Sequence, residues 1–137
     1  MIRAVIDTNV LVSGLLSAKG NEALILLAIH QGLVRLCLSD AIVREYVEVL
    51  ARPKFAFPPD EIAELLATMQ RMGEPITPAG PAPALPDPDD VKFLHCANTA
   101  RAEYIVTGNK RHFPLTLDGP PRVVNAGELL DRITREI

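Results

Sequence analysis

The chain has no apolar run long enough to cross a bilayer. Its longest, Ala23 to Ile29, is far short of the roughly 20 residues that a membrane helix needs. The opening "MIRAVID" lacks the longer apolar core of a signal peptide, which predicts a cytoplasmic protein. Cysteine is scarce. Cys37 and Cys96 stand in no C-x-x-C pair and at no Cys/His spacing, which argues against a zinc site or a redox couple and predicts two buried free thiols. Nor is there an excess of positive charge. A net charge of -3 and a pI near 5.6 remove any global attraction to nucleic acid, so a polyanion would have to meet a local basic patch or a bound metal. There are no internal repeats.

What the chain does have is length and apolar content suited to one domain, residues 1–137, with 48% hydrophobic residues. A domain of this size buries roughly two thirds of its unfolded surface. Short β-branched runs, "IRAVI" (2–6), "LVRLCL" (33–38), "YIVT" (104–107) and "RVV" (122–124), predict strands. Helical patterns separate them. "NEALILLAIHQG" (21–32) ends on a glycine stop, "SDAIVREYVEVLARP" (39–53) opens on cap residues and ends at proline, and "PPDEIAELLATMQRMG" (58–73) repeats Ile62, Leu65, Leu66, Met69 and Met72 at helical spacing. Two more helices are expected near 88–101 and 126–136. Strands separated by helices predict an α/β sandwich with a mostly parallel sheet, because parallel neighbours need a crossover connection. The stretch "EPITPAGPAPALPDP" (74–88) holds six of the twelve prolines. Neither side of it has enough strands to close a core, so it is expected to be a stiff surface crossing with "EPIT" adding a short edge strand.

In open parallel sheets, function gathers at the carboxyl ends of the strands, and Asp7 lies at such an end. It can cap a helix starting at Thr8 or Asn9, or it can belong to a site. In the helix at 39–52, a turn of 100° per residue puts Ile42, Val43, Tyr46, Val47, Val49 and Leu50 on one arc, with Glu45 at its border. Alone, Glu45 reads as a boundary glutamate that reaches solvent or pairs with a lysine. In "DPDDVKFLHCA" (87–97), Asp87 suits an N-cap, Pro88 the first helical position, and Asp89 and Asp90 the positive end of the helix dipole. The same counting places Asp90 between Leu94 and Ala97 on the inner face with Phe93, which favours a shared polar pocket. "YIVTGNKRHF" (104–113) then leaves its strand at Thr107. Gly108 permits close approach of backbone to a ligand, Lys110 and Arg111 are candidate phosphate contacts or a solvated turn, and His112 is open to either reading.

Asp7, Glu45 and Asp90 thus come from three separate elements and are expected to lie near one sheet edge, where their repulsion would have to be offset. A hard divalent cation with oxygen ligands does this. One or two such ions can orient a water, lower its pKa and stabilise charge on a phosphodiester undergoing in-line displacement.

Four blocks, "VIDTNVLVSG", "SDAIVREYVEVLARPKF", "DPDDVKFLHCANTARAEYIVTGNKRHF" and "PRVVNAGELL", occur in the order seen in the PIN-domain family. The chain resembles the branch that forms the toxin components of bacterial and archaeal toxin–antitoxin pairs. That resemblance implies a three-layer α/β/α sandwich of about five strands and a Mg2+- or Mn2+-dependent endoribonuclease. It places the family's acids on Asp7, Glu45 and Asp90 as metal ligands, with the neighbouring polar position on Asn9. Asp87 matches a further family acid of more structural character. The fourth catalytic position, usually aspartate in "TGD", is here Asn109, which keeps an oxygen but removes a charge and should weaken a second metal. The resemblance further implies RNA as substrate, a protein antitoxin that blocks the site, and homodimers, for which helices 21–32 and 58–73 carry apolar stripes equally explained by core packing.

Two rivals stand beside this reading. Haloacid-dehalogenase-type phosphatases also attack from an aspartate after the first strand, and "IVTGNK" faintly resembles their Thr and Lys elements. They normally need a second aspartate two residues on, where this chain has Asn9. The other rival is a catalytically weakened domain of the same fold acting in RNA or protein binding, to which Asn109 lends weight.

Overall fold

A computed structural model describes residues 1–115 and 119–136. Among these residues five parallel strands form one sheet: β1 (Ile2–Ile6), β2 (Val34–Leu38), β3 (Glu74–Pro75), β4 (Tyr104–Val106) and β5 (Arg122–Val124), in the order β3-β2-β1-β4-β5. Ala4 is paired with Leu36 of β2 and with Tyr104 of β4, so β1 is the central strand. Ala4, Val5 and Ile6 are all buried, as are Leu36, Cys37 and Leu38. Successive strand residues point to opposite faces, so helices cover both sides of the sheet. This is the expected three-layer α/β sandwich, and among the described strands every pairing is parallel.

Among the described residues six α-helices connect or follow the strands: α1 (Thr8–Leu16), α2 (Asn21–His30), α3 (Asp40–Leu50), α4 (Pro59–Met72), α5 (Val91–Ala100) and α6 (Ala126–Glu136). No single described helix is long and apolar enough to cross a membrane. The caps follow sequence chemistry. Ser39 accepts a hydrogen bond from the Ile42 N–H at 3.3 Å, and Asn125 and Glu128 bond reciprocally to each other's backbone N–H at the start of α6. The predicted edge strand at "EPIT" is real but only two residues long. It is extended by the Ile76 N–H donating to the Leu38 carbonyl at 2.8 Å, and Pro75, which lacks an N–H, is tolerated at this sheet edge. Both cysteines are buried free thiols, and burial pushes the Cys96 thiol up to about 12.

Three expectations need correction. The helix expected over 88–101 is divided: Pro88–Asp90 form a 3-10 turn, and α5 begins only at Val91. Asp87 caps that turn, its side chain accepting from the Asp89 N–H at 2.9 Å. On α3, Ile42, Tyr46 and Leu50 are buried, but Val47 is 49% exposed. It lines an apolar groove of about 270 Å3 with Phe57, Ile62 and Leu66, at the junction with α4 rather than inside the core. Asp7 stands at the N-cap of α1 without making a side-chain capping bond.

Tyr46 fastens α3 to the end of β1. Its ring is fully packed, and its hydroxyl donates to the carbonyl of Ile6, the residue before Asp7. Replacing Tyr46 by Phe leaves that buried carbonyl short of a partner, a loss of about 1–2 kcal/mol. Denaturant unfolding of Tyr46→Phe should therefore show a lower midpoint at unchanged slope, and an unchanged midpoint would mean the bond contributes nothing.

Candidate functional site

The strand order reverses direction between β1 and β4. The chain leaves β1 toward β2 on one side and returns to β4 on the other, and such switch points open a crevice at the strand carboxyl ends. Asp7 and Thr107 are the first residues beyond the two strands flanking this crevice. The Asp7 N–H donates to the Val106 carbonyl at 2.8 Å, and the Thr107 N–H donates to the Val124 carbonyl at 2.9 Å, so both are held by the sheet's own ladder. The Thr107 hydroxyl donates to Asp7 Oδ2 at 2.8 Å. The expected alternative use of Asp7 as a helix cap is thereby replaced. Its carboxylate is spent across the crevice.

Asp90 arrives from the other end of the sequence. The 3-10 turn capped by Asp87 presents it at the head of α5, where it is only 7% exposed. Its Oδ2 is buried and has no hydrogen-bond partner among the described residues. His112 Nδ1 lies 3.4 Å from that oxygen, within ion-pair distance but not aligned as a hydrogen bond. One ligand atom from each of Asp7, Asp90 and His112 lies within 4.8 Å of the others.

Burial shapes the electrostatics. Desolvation pushes the Asp7 carboxyl above the ordinary aspartate range, with Glu45 pushing the same way, against the Thr107 hydrogen bond and His112. Desolvation likewise raises Asp90, reinforced by Asp7, Asp87 and Glu45 and opposed by His112. Glu45 stands next to this cluster without joining it. Its Oε1 accepts from Lys92 Nζ at 2.6 Å, and its Oε2 accepts from the hydroxyl of Thr8, the first residue of α1.

The other sequence-predicted residues divide. Asn9 Oδ1 accepts from the Gly108 N–H at 3.1 Å and ties the first turn of α1 to the loop after β4. Asn109 Oδ1 accepts from the Arg111 N–H at 3.2 Å, which turns its NH2 toward His112 Nε2 at 3.1 Å. Asn109 therefore directs a donor, not an oxygen, toward the cluster. Lys110 Nζ is drawn to Glu128 at 2.5 Å, at the head of α6. Arg111 is exposed and has no ion pair among the described residues. Three contributors escaped sequence reasoning as site residues: Thr107, Lys92 and Thr8. His112, left open there, is brought to Asp90. Its signal was its place three residues after Asn109, on a 3-10 turn (Lys110–His112) that no periodicity announces.

The donor set fits a divalent cation. Two buried carboxylates whose ionised forms are disfavoured, one of them with an oxygen lacking a hydrogen-bond partner among the described residues, form an oxygen-rich seat that a cation would relieve. Carboxylates in a crevice at a topological switch point place the protein among α/β domains whose ligands bind at the strand carboxyl ends. The chain belongs to the PIN domain family, whose profile matches residues 3–111. PIN domains are typically metal-dependent nucleases. A comparison with curated proteins finds no match.

Both aspartates titrate higher in the folded than in the unfolded chain. In the window from the ordinary aspartate range up to the raised values, the folded state binds more protons, so stability falls as pH rises through it. The penalty grows with pH across that window, so it is larger at neutral pH than near the ordinary aspartate value. Asp7→Asn or Asp90→Asn should raise the melting temperature of chelator-treated protein at pH 7 by about 2–6 °C. That gain should shrink as the pH approaches about 4, the ordinary aspartate value. Thermal melts at both pH values test this, and equal or lower melting temperatures at pH 7 would remove the electrostatic strain from the account.

Proposed function

We propose that the protein is a divalent metal-dependent endoribonuclease using Mg2+ or Mn2+, and the toxin of a toxin–antitoxin pair. The observation that carries the nuclease reading is the buried Asp90 Oδ2, without a hydrogen-bond partner among the described residues, beside Asp7 and His112 in a chain of the PIN family. Asp7 and Asp90 would hold the ion, with His112 beside them. Bound there, a divalent cation lowers the pKa of a water and stabilises charge on the phosphodiester.

The chain's own residues do the rest. Thr107 holds Asp7 Oδ2 in place, and Asn9 binds the loop that carries Asn109 and His112 to the mouth of the crevice. Arg111, exposed on that loop, is available to an RNA phosphate oxygen, whereas Lys110 would first have to leave Glu128. The toxin assignment rests on the resemblance to that branch of the family. It brings with it a protein antitoxin and a homodimer as partners. The half-exposed Leu24 and Leu27 on α2 supply apolar surface for such a contact.

A second reading is favoured by one observation: the Asn109 oxygen is already committed to the Arg111 N–H. On that reading the domain is catalytically weakened and binds RNA or protein. Cleavage of a mixed RNA panel with Mn2+ decides between them. Native protein should cleave, Asp7→Asn and Asp90→Asn should lose about 100-fold or more, and chelator should abolish the reaction. Equal residual cleavage by native and Asp7→Asn protein would favour the binding role.

Asn109→Asp provides a second test of the loop. A carboxylate at 109 adds charge and faces His112 Nε2 with an acceptor, which turns the lone pair of Nδ1 toward Asp90. Changes of this kind around a metal site are worth about 10-fold or more in affinity. Mn2+ titration of Asn109→Asp should show tightening of about that size, and an unchanged affinity would place the loop outside the site.

A further inference from the structure

Among the described residues, Lys92 is the cation whose ammonium pairs with Glu45, the acid beside the cluster. Nζ donates to Glu45 Oε1 at 2.6 Å and to the Asp89 carbonyl at 2.9 Å, and it lies 5.7 Å from the centre of the Phe93 ring. The two charged side chains are 24% and 19% exposed, so the pair is shielded from solvent more than a surface bridge. The second oxygen of Glu45 is occupied by the Thr8 hydroxyl. With both oxygens engaged, Glu45 contributes to the field felt by Asp7 and Asp90 but not to the cluster of ligand atoms, which draws on Asp7, Asp90 and His112.

The Asp89 carbonyl also makes Lys92 part of the turn that presents Asp90, so the ammonium is fixed relative to the seat it adjoins. An ammonium has three donors, and the described residues occupy two. Lys92 and Glu45 line an open groove of about 430 Å3 together with Arg44 and Arg52, so the remaining donor has space for a solvent or ligand oxygen.

We infer that Lys92 is a positioning residue that stands where a second divalent ion would otherwise be held by Glu45, making this a one-ion site. The formal charges agree. Three carboxylates and one ammonium leave two negative charges, which a single divalent cation neutralises, whereas a second ion would have to displace the ammonium or share Glu45 with it. The inference rests on the metal-binding reading of Asp7 and Asp90.

Mn2+ titration of the full chain, followed by calorimetry and by the paramagnetic resonance of free Mn2+, tests it without reference to activity. Native protein and Lys92→Arg should bind one Mn2+ per chain. Lys92→Met, which keeps the stem and removes the charge, should bind two, and Lys92→Met combined with Glu45→Gln should return to one. Glu45→Gln alone, with Lys92 intact, should hold its single ion within about threefold of the native affinity. This variant keeps the test decisive even where Lys92→Met fails to fold. One Mn2+ in both native protein and folded Lys92→Met, at equal affinity, would overturn the inference while leaving the metal site standing. So would two in native protein, or loss of binding in Glu45→Gln. No Mn2+ bound by native protein would overturn the inference and the metal-binding reading together.

Discussion

Like charges held out of water govern this molecule. Asp7 and Asp90 are 6% and 7% exposed; burial pushes both carboxyls upward, Glu45 adds to the push on each, and Asp7 adds to that on Asp90. Two carboxylates in such a place do not arise from packing economy, since the apolar residues around them would bury more favourably beside other apolar residues. The surrounding structure has to hold them there. It does so with the most rigid material available, the ladder of a parallel sheet whose central strand is buried on both faces. Tyr46 anchors the residue before Asp7, and Thr107 anchors the carboxylate itself.

Each acid has a different kind of support. Asp7 receives one neutral donor, Glu45 receives an ammonium and a hydroxyl, and Asp90 Oδ2 receives none among the described residues. This gradient matters more than the count of acids. A cation entering the crevice gains most where the least compensation already exists, and that is at Asp90, with Asp7 opposite. Glu45, whose charge is already balanced by Lys92, gains least. The site's capacity for a cation is therefore set as much by Lys92 as by the carboxylates.

Much of this could be read from residue order, and the remainder could not for definable reasons. Asp7 stood out as a charge ending an apolar ramp, and the parallel sheet followed from β-branched runs separated by helical periods. Asp90 was found by counting along a continuous helix. The true backbone is a 3-10 turn followed by α5, yet both geometries turn the same side chain inward. Helical counting worked less well on α3, where Val47 belongs by angle to the inner arc but meets a groove, because the neighbouring α4 does not close over it. Thr107, Lys92 and Thr8 carried no signal. Their partners lie 100, 47 and 37 residues away, and only tertiary approach gives an ordinary threonine or lysine a function.

Lys110 shows the converse. Two cations in a loop after a strand suggest phosphate contacts, but the capping box of α6 brings Glu128 to the same edge of the sheet. Glu128 serves twice, accepting from the Asn125 N–H and from Lys110, and these bonds hold its carboxyl below the usual glutamate range, Lys110 first. Lys110 therefore fastens the site loop to the last helix, while Asn9 fastens the same loop to the first through Gly108. A Cβ at Gly108 would stand 3.5 Å from Asn9 Oδ1, ordinary contact distance, so neither packing nor backbone conformation demands glycine here. The loop is thus tied to both the first and the last helix of the chain. Within that frame the Asn109 amide meets one ring nitrogen of His112 at 3.1 Å and the other ring nitrogen lies 3.4 Å from Asp90 Oδ2, so the loop's fastening and the imidazole's place beside the acid are parts of one arrangement.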